Sequence, residues 1–230
     1  MEVKSVRHSA WTVHPLLTEE ECGDFIARAE ELGMDDLGET LYQGLRDCLR
    51  VEIDDEGMAE TAFQRLLPHI PHEVKIGKGG NCAEWDGVKP SGQMEGVWRP
   101  VGCNPRWRIC KYPGDGKGHF GPHRDGEYVV SADRRSILTV NGYLNALPEG
   151  FGGATRFLRD QPLMRDEQGR SVAAEGSITH RVHPDRPGLA TVFFHDLLHD
   201  GERLENGCPP KWIFRTDVIY QRDAGTGPVR

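Results

Sequence analysis

The chain changes its hydrophobic period once, from helical spacing in the first third to strand-like alternation in the second half. Leu16-Leu17-Thr18-Glu19-Glu20-Glu21 supplies an N-cap threonine with a glutamate three residues on, a capping box ahead of an amphipathic run. This predicts a helix from about Glu19 to Leu32. A second start signal, Asp54-Asp55-Glu56, precedes Met58, Ala59, Phe63, Leu66 and Leu67. Pro68 and Pro71 stop that helix, because proline lacks the amide hydrogen that the next turn needs. Between about Gly77 and Asn104 the sequence is rich in Gly and Pro with little periodicity, which predicts loops carrying a short strand. Beyond Asn104, short alternating runs separated by turns predict strands at Arg106–Tyr112, Ser136–Leu144, Thr155–Leu158, Leu189–Phe194 and Lys211–Tyr220. Many short strands behind two helices imply a mainly β protein with flanking α-helices, a double-sheet jelly roll on which the helices form a supporting layer. Asp160–Arg181 is polar enough to be a surface insertion.

At 230 residues the length asks for one domain spanning 1–230, with helical support at 1–75 and a jelly-roll core at about 104–220. Charged residues make up 28% of the chain and mean hydropathy is −0.57, and no apolar run reaches the length of a membrane span. The opening residues show no cationic stretch followed by an apolar core, so a cytoplasmic location without a membrane partner is expected. Six cysteines are scattered without a C-x-x-C pair and read as reduced thiols. The formal net charge of −8 argues against a nucleic-acid partner, since only short mixed basic runs such as Asp133-Arg134-Arg135 offset it.

Chemistry concentrates in two places. In His119-Phe120-Gly121-Pro122-His123-Arg124-Asp125, extended backbone puts residues two apart on one face, so His123 and Asp125 can bind one metal while Arg124 faces away. With ten histidines in the chain, such a pair arises by chance about as often as not. A downstream histidine in Phe193-Phe194-His195-Asp196-Leu197-Leu198-His199-Asp200 completes a two-histidine, one-carboxylate set that suits non-haem Fe(II) with positions left open. His195 and His199 compete for that place. His199 is preferred, because an apolar strand normally ends before the loop that presents a ligand. On the last strand Lys211, Ile213, Arg215 and Asp217 share one side, and a cation on an inward face needs an anionic partner such as a dicarboxylate co-substrate. On Ser136–Leu144 the mixed face carries Ile137, Thr139, Asn141 and Tyr143, and the Tyr143 hydroxyl can donate to a carboxylate.

The order of these parts resembles the prolyl 4-hydroxylase-like branch of the Fe(II)/2-oxoglutarate-dependent oxygenases. The matching residues are Tyr112-Pro113-Gly114-Asp115-Gly116-Lys117-Gly118, His123-x-Asp125, Tyr143-Leu144-Asn145, Gly152-Gly153-x-Thr155-x-Phe157, Val182-x-Pro184, Gly188, His199 and Lys211. The resemblance implies a double-stranded β-helix of cupin-like form, with His123, Asp125 and His199 as iron ligands. It implies that 2-oxoglutarate and O2 are consumed with release of succinate and carbon dioxide, with ascorbate as a candidate accessory. It puts the distal carboxylate of 2-oxoglutarate on Lys211 and Tyr143, and Tyr112 near the co-substrate. The interval from His199 to Lys211 is slightly long for the pattern, which keeps Arg215 as a rival anchor. The substrate is expected to be a peptide, of prolyl type, or a small molecule, hydroxylated at an unactivated C–H bond. A cupin-like metal enzyme that does not use 2-oxoglutarate and a non-catalytic jelly-roll binding module are the alternatives.

Overall fold

The computed structural model describes residues 1–37, 45–167 and 169–226. Both helices form where their caps place them. Helix α1 runs over Glu19–Leu32, with the Thr18 hydroxyl accepting from the Glu21 amide and the Glu21 carboxylate accepting from the Thr18 amide. Helix α2 runs over Glu56–Leu66 behind Asp55, whose side chain accepts from the Met58 amide, and Pro68 lies in the short 3-10 turn that follows.

Twelve strands carry the architecture: β1 Glu2–Arg7, β2 Ala10–His14, β3 Leu49–Asp54, β4 Gly96–Cys103, β5 Arg106–Tyr112, β6 His119–His123, β7 Arg134–Tyr143, β8 Thr155–Leu158, β9 Ile178–Val182, β10 Ala190–Phe194, β11 His199–Gly201 and β12 Lys211–Arg222. The large sheet runs β1-β2-β10-β7-β12-β5-β3, with β4 added beside the far half of β12. The small sheet runs β9-β8-β11-β6, with Arg46–Asp47 at its edge. All of these pairings are antiparallel, and the two sheets face each other as the double-stranded β-helix, or jelly roll, that the strand pattern predicts.

Alternation sorts the large sheet. Trp107 and Phe214 point outward; Phe25 of α1 meets Trp107 with ring centroids 5.0 Å apart, and Trp107 meets Phe214 at 5.2 Å. The intervening residues of β5 and β12 point inward, between the sheets. There Phe193 of β10 meets Phe157 of β8 edge to face at 5.3 Å, tying one sheet to the other. The predicted Gly152-Gly153 turn into β8 has φ of 72° and 81°. A methyl at Gly152 would sit 2.2 Å from the Arg203 carbonyl oxygen, so only glycine fits there.

A β1–β2 hairpin that joins the large sheet through β10 precedes the two helices. Two expectations need correction. The Gly77–Asn104 stretch contains the eight-residue β4, which holds Pro100 at a register shift opposite Tyr220. Its pairing with β12 is a tertiary fact that local periodicity does not carry. The Asp160–Arg181 stretch includes a small hairpin, exposed Met164–Arg165 with half-buried Ser171–Val172, but ends within β9 of the small sheet. Among the described residues no helix is long and apolar enough to cross a membrane.

Candidate active site

The inward faces of the two sheets enclose a cavity of about 480 Å³ lined by Tyr112, His123, Asp125, Thr155, His199 and Lys211 among others. His123 ends β6 and His199 opens β11, and the two are paired directly across the small sheet. His199 is therefore in a strand of its own rather than in a loop. Asp125 follows two residues after His123, with its backbone amide donating to the His195 carbonyl at 3.1 Å. One potential ligand atom from each of His123, Asp125 and His199 falls within 4.8 Å of the others.

Hydrogen bonds fix which atoms face inward. The Nδ1 of His123 lies 2.8 Å from the Gly121 carbonyl and that of His199 lies 2.9 Å from the Leu197 carbonyl. A carbonyl only accepts, so both protons sit on Nδ1 and both Nε2 lone pairs are free. Those Nε2 atoms lie 3.6 and 3.7 Å from the two oxygens of Asp125. Phe120 stacks on His123 at 3.5 Å between centroids, and Phe193 meets His199 edge-on at 4.7 Å, which holds both rings in place.

Electrostatics favours the same protonation state at His199. Burial, and then the neighbouring His123, lower the His199 pKa to about 3, so its imidazole is neutral. Burial works to raise the Asp125 pKa, but the Arg215 guanidinium, the strongest opposing influence, brings it well below the usual carboxylate range. Arg215 reaches Asp125 at 2.9 Å and Asp217 at 3.0 Å.

His195 lies outside the cluster, and both its nitrogens are used. The Thr139 hydroxyl donates to Asp125 Oδ2 at 2.7 Å and accepts from His195 Nδ1 at 2.8 Å. His195 Nε2 accepts in turn from the Ser136 hydroxyl at 2.8 Å, and Ser136 accepts from the Tyr128 amide. Burial lowers the His195 pKa, consistent with a neutral ring whose tautomer this chain dictates.

Lys211 enters the cavity from the start of β12. Burial brings its pKa down to about 8. Among the described residues it has no carboxylate within ion-pair distance; its ammonium lies 5.5 Å from the ring centres of both Tyr112 and Tyr143. Tyr112 and Lys211 are cross-strand partners. Tyr143 is buried beside Lys211. Its hydroxyl donates to Thr155 Oγ1 at 2.7 Å and lies 3.2 Å from the Val182 carbonyl, so its ring, not its hydroxyl, faces Lys211. Thr155 itself lines the cavity. Arg46 was not foreseen. It contacts the Cys48 and Cys110 sulfurs at 3.0 and 2.9 Å and the Tyr112 hydroxyl at 3.1 Å, reaching the cavity from a two-residue edge strand too short to leave a pattern.

No protein-family model and no curated protein matches the chain. Among solved structures it is similar to a Pseudomonas putida prolyl-4-hydroxylase, with 17% identity, 94% of each chain covered and a TM-score of 0.52. It is also similar to the viral collagen prolyl hydroxylase of Paramecium Bursaria Chlorella virus-1, with 14% identity over 94% of this chain and 90% of that one and a TM-score of 0.53. A Trichoplax adhaerens prolyl hydroxylase, solved with a hypoxia inducible factor peptide fragment, is 13% identical over 92% of this chain and 84% of that one, with a TM-score of 0.53. The chain has the double-stranded β-helix fold of the prolyl 4-hydroxylase-like oxygenases.

Proposed function

We propose that the protein is an Fe(II)- and 2-oxoglutarate-dependent dioxygenase that hydroxylates its substrate, with His123, Asp125 and His199 as the iron ligands. The observation that carries this reading is the pair of free Nε2 lone pairs converging on one buried carboxylate. Two neutral imidazoles and one carboxylate form a donor set suited to a divalent metal with positions left open for a co-substrate and oxygen. The carbonyls behind each Nδ1 orient the rings before any metal arrives. When bound, the iron would supply the redox chemistry that couples O2 and 2-oxoglutarate to oxidation of a C–H bond.

The chain's own residues divide the remaining work. Lys211 receives the distal carboxylate of 2-oxoglutarate, because a buried ammonium without a counter-ion is stabilised by an arriving anion. Tyr112 flanks that site. Thr155, held by Tyr143, offers a hydroxyl to the same carboxylate, so Tyr143 acts through Thr155. Arg215 is committed to Asp125 and Asp217, which favours Lys211 over it as the anchor. Thr139 holds Asp125, with His195 behind it. Residues 1–230 act as one catalytic domain in this reading.

The test is formation of succinate from 2-oxoglutarate by iron-loaded protein, with uptake of O2. Succinate formation that stops on removal of iron and returns on its addition is expected. Iron-loaded protein that binds no 2-oxoglutarate would point instead to a metal enzyme of another kind.

A further inference from the structure

The cavity holds more positive charge than this chemistry uses. Arg46, Arg50, Arg108, Arg124, Lys211 and Arg215 line it, against Glu52, Asp125, Glu127 and Asp200. Most of these carboxylates are committed. Asp125 faces the histidines and Arg215; Asp200 is held by both nitrogens of the Arg156 fork at 2.7 and 2.6 Å; Glu127 pairs with Arg135 at 3.1 Å. Arg124 has its own partner in Asp160 at 3.0 Å. Arg46 and Lys211 lie together against the Tyr112 ring, at the co-substrate end.

Arg50 and Arg108 remain, sharing Glu52 at 3.8 and 3.6 Å, a carboxylate that Arg106 also approaches at 3.7 Å. All three distances exceed hydrogen-bond length. The Nη1 of Arg108 is 3.5 Å from Asp217, but it is buried and makes no hydrogen bond among the described residues. A buried guanidinium nitrogen without an acceptor is costly. Their field reaches Cys110, whose thiol pKa is lowered by the Cys48 hydrogen bond first and then, against burial, by Arg46, Arg50 and Arg108.

Strand register places the pair relative to the chemistry. Arg50 lies opposite Cys110, and Arg108 is two residues before Cys110, on the same face of β5. Arg108 is also opposite Arg215, which touches Asp125. Lys211, opposite Tyr112, is four residues further along the strand pair, about 13 Å away. Arg50, level with Cys110 and Ile213, lies midway between these two levels, so an anion held by both arginines would lie beside Arg215 and nearer the triad than one on Lys211.

We propose that Arg50 and Arg108 form an oxyanion subsite that selects a compact substrate carrying a carboxylate or phosphate group. The inference rests on the assignment of the triad and Lys211 to metal and co-substrate. The cavity volume of about 480 Å³ is in the range of sites that hold small molecules, and planar guanidinium forks match either anion.

The test is titration of zinc-loaded, 2-oxoglutarate-saturated protein with acetate, inorganic phosphate and neutral acetamide, following the side-chain Nε–H signals of Arg50 and Arg108 by NMR. Saturable shifts with acetate or phosphate, none with acetamide, and at least tenfold weaker binding in Arg108→Gln and Arg50→Gln are expected. The stronger of the two anions identifies the acid group. Unchanged 2-oxoglutarate binding in these variants shows that they are folded, and Arg108→Lys should restore part of the affinity. Absence of saturable shifts, equal shifts with acetamide, or affinity unchanged in both variants overturns the proposal. If 2-oxoglutarate fails to bind while acetate still shifts both arginines in zinc-loaded protein, the assigned function falls and the subsite stands.

Discussion

At the scale of single residues, two histidines four positions apart in sequence, His195 and His199, are separated by their hydrogen bonds. His199 has one nitrogen on a carbonyl and the other free, whereas His195 has both engaged by hydroxyls. Replacement of His123, Asp125 or His199 by alanine is therefore expected to abolish iron binding and succinate formation. His195→Ala should retain much of both, with some loss because Thr139 no longer has its partner behind Asp125. Iron content measured beside the rate checks this, and the opposite ranking of His195 and His199 would reverse the ligand assignment. For Lys211→Ala, loss of a hydrogen bond to a charged group, about 1.5–3 kcal/mol, predicts a roughly ten- to hundredfold weaker 2-oxoglutarate affinity. Arg215→Ala having the larger effect would move the anchor. The Lys211 pKa of about 8 in the free protein sets the pH dependence. Binding needs the ammonium, so affinity should be flat below pH 8 and fall as pH rises above it, and Lys211→Ala should lose that dependence.

At the scale of elements, β7 and β12 are the spine of the large sheet, and their closeness depends on Gly142. A methyl group there would lie 2.2 Å from ring atoms of Phe214, its cross-strand partner. Gly142→Ala should destabilise the fold by about 1–3 kcal/mol, read as a lower denaturant midpoint at unchanged slope. Thr18→Ala should cost about 1 kcal/mol through the lost cap and leave 2-oxoglutarate affinity unchanged, because α1 lies on the outer side of the sheet. The contrast explains what the sequence makes legible. Helix ends and the long β5 and β12 are written in local signals: Thr18, Asp55, Pro68 and the alternation of Lys211 to Asp217. Strands β4, β6 and β11 exist because neighbours hydrogen-bond to them, and their own sequences are short or interrupted by proline. The same gap affects the site. His183-Pro184-Asp185 has the same spacing as His123-Arg124-Asp125, yet His183 contacts the Leu147 carbonyl and Asp185 pairs with Arg186. Only the register that brings His199 opposite His123 separates the two motifs. Arg50 and Arg108 read as ordinary strand charges until the sheet is folded and their partners are counted.

At the scale of the whole molecule, a chain with a formal net charge of −8 surrounds a cavity lined by more cations than anions. Anionic ligands meet long-range repulsion from the surface and short-range attraction inside, and salt screens both. The contacts in the cavity are close and partly buried, so raising NaCl from about 50 to 500 mM should weaken 2-oxoglutarate binding by only several-fold, as titration calorimetry would show. A loss of orders of magnitude would mean that the anion is held at the surface instead of at Lys211.

The pairing of His123 with His199 across β6 and β11 has a mechanical consequence. β11 is three residues long, and a metal held by one residue from each strand would act as a cross-strand rivet. Bound metal should slow amide hydrogen exchange in β6 and β11 much more than in β7 and β12, which are already buried in a wide sheet. Chelation should then loosen the small sheet first, so that metal loss appears as local fraying around the site before the protein unfolds. Uniform protection across both sheets would show instead that the metal stabilises only the molecule as a whole.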